Sequence, residues 1–275
     1  MLEITDAEFK KIVAIMYEQS GVFLKPSKKP LVMSRLRERL QELGMKDFKE
    51  YTQLLSQPHS DELENFINAI TTNETYFFRH TRQFNMLYET ILPEMMRNKA
   101  GRSREVSIWT AACSTGEEPY SLAILCKEFF LQHPGFRYKI YASDINTEVL
   151  DDAREGVYSE RSVKEIPDNL LEKYFKKMEI GKFHKASGFR IADIIKEDVE
   201  FSQHNLLYPF KYKDIDIVFL RNVMIYFDND IKERVVRLIY NNMASPSYMF
   251  ISLSESLNDI NTGFELLESA VYKKG

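Results

Sequence analysis

The sequence predicts an α/β protein in which a helical domain precedes a parallel sheet flanked by helices. No strand pattern occurs before residue 100, and apolar residues recur at helical spacing through most of that stretch. From Arg102 onward strand and helix patterns alternate, which is typical of sheets built from strand–helix–strand units. The expected division is a helical domain over residues 1–70, a linker over residues 71–100 and an α/β domain over residues 101–275.

Four amphipathic segments make up the predicted helical domain. In the first, Thr5 and Glu8 have the spacing of a capping box, and Gly21 ends the helix. The second starts near Pro30, since proline favours the first turn of a helix. Each segment has one apolar stripe, so we expect the four to pack against one another. They cover residues 5–20, a stretch that starts near residue 30, residues 47–55 and residues 60–70.

Basic residues are unevenly placed on the second predicted helix. Arg35 and Arg39 are four residues apart and therefore share a face, Arg37 lies elsewhere on the surface, and Lys28 and Lys29 precede the helix. This pattern fits either a solvated surface or a docking face for an acidic partner. Composition alone leaves both interpretations open.

The segment from Thr71 to Arg79, read TTNETYFFR, has an unusual composition for a simple linker. Aromatic faces can cover an adenine or attract a cationic centre, and an arginine can hold a carboxylate through two hydrogen bonds. A hydrophobic staple that joins two domains would use the same residues. By composition alone the staple is favoured.

Residues 106–120, read VSIWTAACSTGEEPY, predict a strand, a tight loop of small residues and the start of a helix. Small residues and Gly116 would let the backbone approach a ligand closely, and the helix would point free N–H groups towards it. Neither GxGxxG nor GxxxxGK[ST] is present, so the common phosphate-binding fingerprints are absent.

Asp144 supports a nucleoside site because it closes the next predicted strand, residues 138–144. An acid at this position can accept hydrogen bonds from both ribose hydroxyls. No arginine or lysine adjoins it to indicate a 2′-phosphate. The loop, helix, strand and acid together predict an adenosine-binding half-site. The alternative is that Asp144 caps a helix that begins at Ile145.

The rest of the chain predicts further strands and helices of the same domain. A hairpin is expected where Lys182–Lys185 and Phe189–Ile191 flank Ala186–Gly188. The other predicted elements are a helix over 147–155, strands over 199–202, 216–220 and 248–253, a helix over 228–243 and a last helix or strand over 264–272. Ligands bind beyond the carboxyl ends of such strands. The polar residues predicted at those ends are Glu117, Asp144, Asn205, Arg221, Asn222 and Tyr226.

The whole-chain properties exclude several classes of protein. A net charge of −4 over 275 residues argues against generic nucleic-acid binding, which gains from a basic surface, and we expect no nucleic-acid partner. The first residues lack the plan of a signal peptide, and no apolar run is long enough to span a bilayer. We expect a cytoplasmic protein without direct membrane insertion. The cysteines and histidines have no metal-ligand spacing, so no metal site is predicted.

The sequence closely resembles the CheR family of chemotaxis receptor methyltransferases. The resemblance rests on five motifs that occur in order between residues 70 and 230. They are NETYFFR (73–79), AACSTGEEPYS (111–121), ASDINTEVL (142–150), NLL (205–207) and RNVMIYF (221–227).

This resemblance implies a Rossmann-like S-adenosylmethionine methyltransferase domain with a small antiparallel β-subdomain at about residues 175–200, preceded by an all-α domain. It implies methyl transfer to glutamate side chains in the cytoplasmic region of transmembrane chemoreceptors, which forms glutamyl methyl esters and leaves S-adenosylhomocysteine. An alternative is a non-catalytic S-adenosylmethionine-binding signalling module on the same fold. We expect a monomer.

The resemblance also implies the residues that surround the cofactor. Those of the NETYFFR segment lie against its methionine end, Glu117 lines the loop beneath it, Asp144 holds the ribose, and Asn205 and Leu206 lie beside the adenine. The implied cofactor-binding set is Asn73, Thr75, Arg79, Glu117, Asp144, Asn205, Leu206, Arg221 and Asn222.

Arg79 and Tyr226 are the candidates for orienting the acceptor carboxylate. A glutamate with a pKa near 4.3 is already an anion at neutral pH, so no general base is expected. A strong bond from Arg79 would weaken the nucleophile, which favours Tyr226 as the closer partner. The basic face of the second helix resembles the receptor-docking surface of the family, which assigns Arg35 and Arg39 to docking.

Overall fold

The computed structural model describes residues 3–99, 103–180 and 186–275. The predicted helical domain has four helices whose apolar stripes meet in one core. The capping box at its start is confirmed: the Thr5 hydroxyl accepts from the Glu8 N–H at 3.2 Å, and Glu8 accepts from the Thr5 N–H at 2.7 Å. The helices are α1 (Asp6–Ser20), α2 (Lys29–Glu42), α3 (Phe48–Leu55) and α4 (Glu62–Ile70), with a short 3₁₀ turn at Pro26–Lys28 before α2.

The structure shortens the predicted linker of residues 71–100. Among the described residues of this stretch, 71–80 are non-helical, and the chain then forms α5 (Thr81–Met86), a π turn (Leu87–Ile91) and α6 (Leu92–Lys99). These helices belong to the α/β domain because their apolar residues, such as Phe84, are buried in its core. The aromatic residues Phe77 and Phe78 anchor the segment in the α/β domain and are not part of the core of the helical domain, so they do not form a staple between the two domains. Phe77 is fully buried and makes edge-on contacts with Tyr158 and Phe175.

The α/β domain is built on a seven-stranded sheet with the strand order β6-β2-β1-β7-β8-β10-β9. The first five strands in this order are parallel to one another. Strand β10 pairs antiparallel with β8 on one side and with β9 on the other. The strands of this sheet are β1 (Glu105–Ala111), β2 (Arg137–Asp144), β6 (Val199–Gln203), β7 (Ile215–Leu220), β8 (Met243–Ile251), β9 (Glu265–Glu268) and β10 (Val271–Lys274). The last predicted element is thus a pair of strands.

Helices cover both faces of this sheet, and each face has its own apolar core. The helix predicted at residues 147–155 is confirmed at both ends. The remaining helices are α7 (Glu117–Leu131), α8 (Thr147–Glu155), α9 (Glu160–Val163), α10 (Asp168–Tyr174), α11 (Asp193–Lys196) and α12 (Asn229–Asn242). None of the helices in the described part of the chain combines the length and apolar character that crossing a bilayer requires.

A separate three-stranded antiparallel sheet forms the β-subdomain, with the order β3-β5-β4. Its strands are β3 (Val157–Ser159), β4 (Phe175–Ile180) and β5 (Ala186–Ile191). The predicted hairpin exists, but its predicted turn is wrong. Ala186–Gly188 lie in β5, where Gly188 pairs with Met178. A glycine is typical of turns, but it also occurs within strands, and sequence alone does not separate the two cases. Lys182–Lys185 lie outside the described residues.

The strand order determines where a ligand can bind. Strands β2 and β6 lie on one side of β1, and strands β7 and β8 lie on its other side. The order in which strands are added therefore reverses between β1 and β7. The loops that follow β1 and β7 therefore diverge and leave a crevice at their carboxyl ends.

Candidate active site

A cleft of about 310 Å³ lies between the helical domain and the carboxyl ends of β1, β2, β6 and β7. Pockets of this size accommodate small ligands. Both domains line it. The helical side contributes residues between 16 and 35 and Ile70, and the extended segment contributes residues 71–76 and Arg79. The sheet side contributes residues 112–114, Glu118 and residues 144–145, 204–206, 221–223 and 225–227.

The loop after β1 forms the floor of the cleft. Ala112 and Ser114 have φ values of 63° and 50°, a left-handed conformation that is uncommon for residues other than glycine. The Cys113 N–H donates to the Ser143 carbonyl at 2.9 Å, and the Ser114 N–H donates to Asp144 Oδ2 at 2.8 Å. Strained residues cluster at ligand sites when the surrounding structure holds them in place. These two bonds hold the loop against the end of β2.

Gly116 has a different role from the predicted one. It is not among the residues that line the cleft. Its φ is 94°, and a Cβ atom there would lie 2.9 Å from the Ala153 Cβ and 3.0 Å from the Tyr158 hydroxyl. The glycine therefore allows α8 and Tyr158 to pack closely against the start of α7. Residues 112–114 line the cleft instead.

Asp144 lies at the cleft with 7% of its surface exposed. Its Oδ1 accepts from the Asn146 N–H at 3.0 Å, and its Oδ2 accepts from the Ser114 N–H at 2.8 Å. Burial raises the pKa of the Asp144 carboxyl, and these backbone N–H groups oppose that rise. The alternative role as a helix cap is wrong, because Asn146 caps α8 by accepting from the Val149 N–H. Each carboxylate oxygen keeps acceptor capacity for a ligand hydroxyl.

The acid at the start of α7 that lines the cleft is Glu118, whereas Glu117 was predicted. Glu117 does not line the cleft, is 3% exposed and accepts from the Thr115 hydroxyl at 2.6 Å. Burial raises the pKa of both glutamates. Successive helical residues point about 100° apart, so only one of two adjacent acids can face the cleft.

Arg221 forms the back wall. Its side chain is 1% exposed, and its Nη1 donates to Glu118 Oε2 at 2.8 Å. Its Nη2 donates to the Arg79 carbonyl at 2.5 Å, so this one guanidinium holds both an acid and the backbone of a second arginine. The Arg221 Nε is buried and has no hydrogen-bond partner among the described residues.

Arg79 lines the cleft beside this wall. Its Nη1 donates to the Glu74 carbonyl at 3.1 Å, and its guanidinium carbon lies 5.6 Å from the centre of the Tyr76 ring. Within the described residues its Nε is buried without a hydrogen-bond acceptor. A buried donor without a partner is costly, so an anionic ligand group at this end of the cleft would satisfy it.

Asn73 and Thr75 also line the cleft, as the resemblance implied. The Ser114 hydroxyl donates to the Asn73 carbonyl at 2.9 Å. This bond joins the extended segment to the floor of the cleft.

Asn205 and Leu206 line the opposite end. The Asn205 side chain is already engaged: its Nδ2 donates to the Gln19 carbonyl at 2.6 Å, and its Oδ1 accepts from the Leu207 N–H at 3.0 Å. Its amide therefore connects the helical domain to the loop after β6, a role that the sequence did not indicate.

His204 lines the same end and was missed by the sequence analysis. Its ring packs edge-on against Trp109 at 5.7 Å between centroids. Burial lowers the pKa of the His204 imidazole to about 4, so the ring is neutral at neutral pH. Its position between the end of β6 and the NLL motif could have indicated that His204 lies at the cleft.

The loop after β7 is held by Glu255, a second residue that was missed. Glu255 accepts from the N–H groups of Asn222 at 3.2 Å, Ile225 at 3.3 Å and Ser252 at 2.8 Å. Asn222 has a φ of 61° and donates through its side chain to the Ser252 hydroxyl at 2.9 Å. Tyr226, from the same loop, lines the cleft, and its hydroxyl makes no hydrogen bond to any described residue.

Both arginines predicted to dock a receptor, Arg35 and Arg39, already donate hydrogen bonds within the protein. Arg35 lines the cleft and donates to the Thr71 carbonyl at 2.9 Å. Arg39 donates twice to Glu62, at 3.0 and 2.7 Å, and Glu62 is 5% exposed and also accepts from the Tyr51 hydroxyl. Arg39 is therefore part of the packing of the helical domain.

Two protein-family models match the chain. Residues 73–273 match the model described as the CheR methyltransferase SAM binding domain, and residues 7–71 match the CheR methyltransferase all-alpha domain. The chain belongs to the CheR family. The two matches divide the chain between residues 71 and 73, close to the end of α4.

Curated members of the CheR family match over almost their whole length. A chemotaxis protein methyltransferase of Borreliella burgdorferi is 36% identical over 99% of this chain and 96% of the relative. That of Escherichia coli is 36% identical over 98% and 92%, and that of Salmonella typhimurium is 37% identical over 98% and 91%. The protein is an S-adenosylmethionine-dependent chemotaxis methyltransferase of the CheR type.

The residues present fit this cofactor. Asp144 offers carboxylate oxygens to a ribose diol, and the buried Arg79 Nε lacks the acceptor that an amino-acid carboxylate would provide. The apolar Leu206 and the neutral His204 suit a purine at the other end of the cleft.

Proposed function

We propose that the protein transfers a methyl group from S-adenosylmethionine to glutamate side chains in the cytoplasmic region of transmembrane chemoreceptors, which yields glutamyl methyl esters and S-adenosylhomocysteine. The observation that supports this reaction is the free Tyr226 hydroxyl in a cleft that also holds Asp144 and Arg79. A glutamate acceptor is ionised at neutral pH and needs no base. This matches a cleft whose histidine, His204, has a lowered pKa.

Positioning and desolvation are the tasks left to the chain itself. When bound, S-adenosylmethionine supplies an electrophilic methyl group on a sulfonium. Tyr226 donates one hydrogen bond to one oxygen of the acceptor carboxylate. The other carboxylate oxygen stays free to attack the methyl group. Arg79 is held back by the Glu74 carbonyl and the Tyr76 ring, which limits how strongly it can bind the same carboxylate. Alignment of this kind contributes roughly 7 to 11 kcal/mol, and exclusion of water adds to it.

Tyr226→Phe should lower kcat and leave cofactor affinity almost unchanged. The lost hydroxyl removes a hydrogen bond to a charged acceptor, worth about 1.5 to 3 kcal/mol, which corresponds to roughly 10-fold to 100-fold in kcat. Methylation kinetics and calorimetric titration with S-adenosylmethionine would measure the two quantities. Tyr208→Phe is the matched control, because Tyr208 is 61% exposed and does not line the cleft. An equal loss of cofactor affinity in Tyr226→Phe would contradict the proposed role.

The receptor-docking surface is proposed to lie at the helical rim of the cleft. Replacing Arg35 and Arg39 by glutamate would be a poor test of the docking surface, because a glutamate at position 39 would face the buried Glu62. Lys25 and Lys28 are exposed and line the cleft, so they can contact an acidic segment that carries the acceptor.

Lys25→Glu with Lys28→Glu should raise the KM for receptor by about 3-fold to 10-fold, an effect that added salt weakens. Cofactor affinity should not change. The matched control is Lys10→Glu with Lys11→Glu, because these two lysines are exposed on α1 and do not line the cleft. If both double variants methylate receptor alike, the surface does not lie at this rim.

The overall proposal is tested with labelled S-adenosylmethionine and chemoreceptor-containing membranes. Transfer of label that alkali releases as methanol would identify methyl esters. Receptor with its methylated glutamates replaced by alanine should take up no label. Binding of the cofactor without any transfer would favour a signalling module instead. The expected site of this reaction is the cytoplasm.

A further inference from the structure

The segment from Gly21 to Lys25, here called the connector, links α1 to the turn before α2 and forms one wall of the cleft. Val22, Phe23, Leu24 and Lys25 all line it. Val22 packs against both the core of the helical domain and the core on one face of the sheet. The connector therefore belongs to both domains.

Three hydrogen bonds join this region to the loops that carry site residues. The Phe23 N–H donates to the carbonyl of Tyr226 at 2.8 Å. The Tyr17 hydroxyl donates to Asp228 Oδ2 at 2.7 Å, two residues beyond Tyr226. The third bond runs from Asn205 Nδ2 to the Gln19 carbonyl at 2.6 Å. Two of the three bonds thus reach the chain at or beside Tyr226.

Gly21 sets how closely the connector approaches the α/β domain. Its φ is 74°, and an added Cβ would lie 2.8 Å from Ile231 Cγ2 and 3.1 Å from Leu207 Cδ2. Ile231 lies in the first turn of α12, directly after the Tyr226 loop. A side chain at position 21 would therefore force the connector and Ile231 apart, next to that loop.

The loop after β7 is held from two sides. Glu255 fixes Asn222 and Ile225 from the sheet side. From the helical domain, Phe23 of the connector holds Tyr226, and Tyr17, at the end of α1 just before the connector, holds Asp228. We propose that the connector is a positioning element for methyl transfer, which fixes Tyr226 and couples it to movements of the helical domain when an acceptor docks there. This proposal rests on the proposed function of Tyr226.

Gly21→Ala tests the proposal, with Gly44→Ala as its matched control. Gly44 also follows a helix of the same domain and has a φ of 64°, but a Cβ there would meet nothing within 4 Å. Both variants place an alanine at a positive φ, and only Gly21→Ala brings its Cβ against neighbouring side chains. We expect kcat to fall about 10-fold to 100-fold in Gly21→Ala, because small misplacements of reacting groups have effects of this size. Gly44→Ala should leave kcat close to that of wild type, and in Gly21→Ala the affinity for the cofactor should fall much less than kcat.

A second variant avoids any folding problem in Gly21→Ala. Tyr17→Phe removes only the hydroxyl that bonds Asp228, and it should lower kcat severalfold with an unchanged dissociation constant for S-adenosylmethionine. Ile231→Ala in the Gly21→Ala background removes the methyl group nearest the added Cβ and should restore part of the lost kcat.

NMR of ¹³C-tyrosine-labelled protein separates failure of this proposal from failure of the proposed function. The Tyr226 signal, assigned with Tyr226→Phe, should shift in Gly21→Ala and stay in place in Gly44→Ala. If wild-type protein transferred no methyl group, the proposed function would fail, and this signal would still report on the connector. An unshifted Tyr226 signal, equal kcat in the two glycine variants, or a parallel loss of kcat and cofactor affinity would overturn the positioning role.

Discussion

Arg221→Met is expected to lower the free energy of unfolding by about 3 to 5 kcal/mol, because it leaves a buried carboxylate without its partner. Arg221 and Glu118 are 2.8 Å apart, with side chains 1% and 14% exposed. The variant also removes the donor that holds the Arg79 carbonyl. Urea-induced unfolding would measure the change.

Two comparisons make this experiment specific. Arg221→Met combined with Glu118→Met removes both charges and should regain most of the lost stability. Lys211→Met breaks a pair with Glu200 in which the side chains are 53% and 37% exposed, and it should cost about 1 kcal/mol or less. If Arg221→Met cost no more than Lys211→Met, the carboxylate of Glu118 would have to reach water.

Asp144→Ala should weaken S-adenosylmethionine binding roughly 10-fold to 100-fold, which corresponds to about 1.5 to 3 kcal/mol for hydrogen bonds to a charged group. Calorimetric titration would measure it. Asp152→Asn is the control for loss of an acidic charge, because Asp152 is exposed on α8 and does not line the cleft. Unchanged binding in Asp144→Ala would remove this residue from the site.

The pH dependence of binding follows from the same carboxylate. Burial raises the pKa of Asp144 above its ordinary 3.8. The charged form accepts from the ribose hydroxyls, so affinity is full above the raised pKa and falls as the pH drops through it. Asp144→Asn should remove this dependence.

Much of the fold could be predicted because its signals are local. Thr5 and Glu8 define the start of α1 within four residues of sequence, and α8 was placed at both ends. The helices between residues 81 and 99 were not predicted. Their apolar residues pack on a sheet that is distant in sequence, and no side chain caps the start of α5. Gly188 was misplaced since a glycine favours turns unless a neighbouring strand pairs with it.

The candidate site was less predictable, because much of it depends on contacts between distant residues. Asp144 follows from its place at the end of a strand, but Glu117 and Glu118 are indistinguishable by sequence. Glu255 bonds Asn222 across 33 residues, and Asn205 bonds Gln19 across 186. No periodicity or spacing marks such pairs, so Glu255 and the connector emerged only from the structure.

The acidic first turn of α7 has a consequence for selectivity among adenine compounds. ATP presents the same base and the same sugar as the cofactor, so Asp144 and Leu206 cannot distinguish the two. Of the two acids in this turn only Glu118 lines the cleft, and its pairing with Arg221 places a carboxylate where a polyphosphate would otherwise meet the free N–H groups of α7. We therefore expect selectivity against nucleotides to depend on this end of the cleft, because the adenosine contacts are common to both compounds.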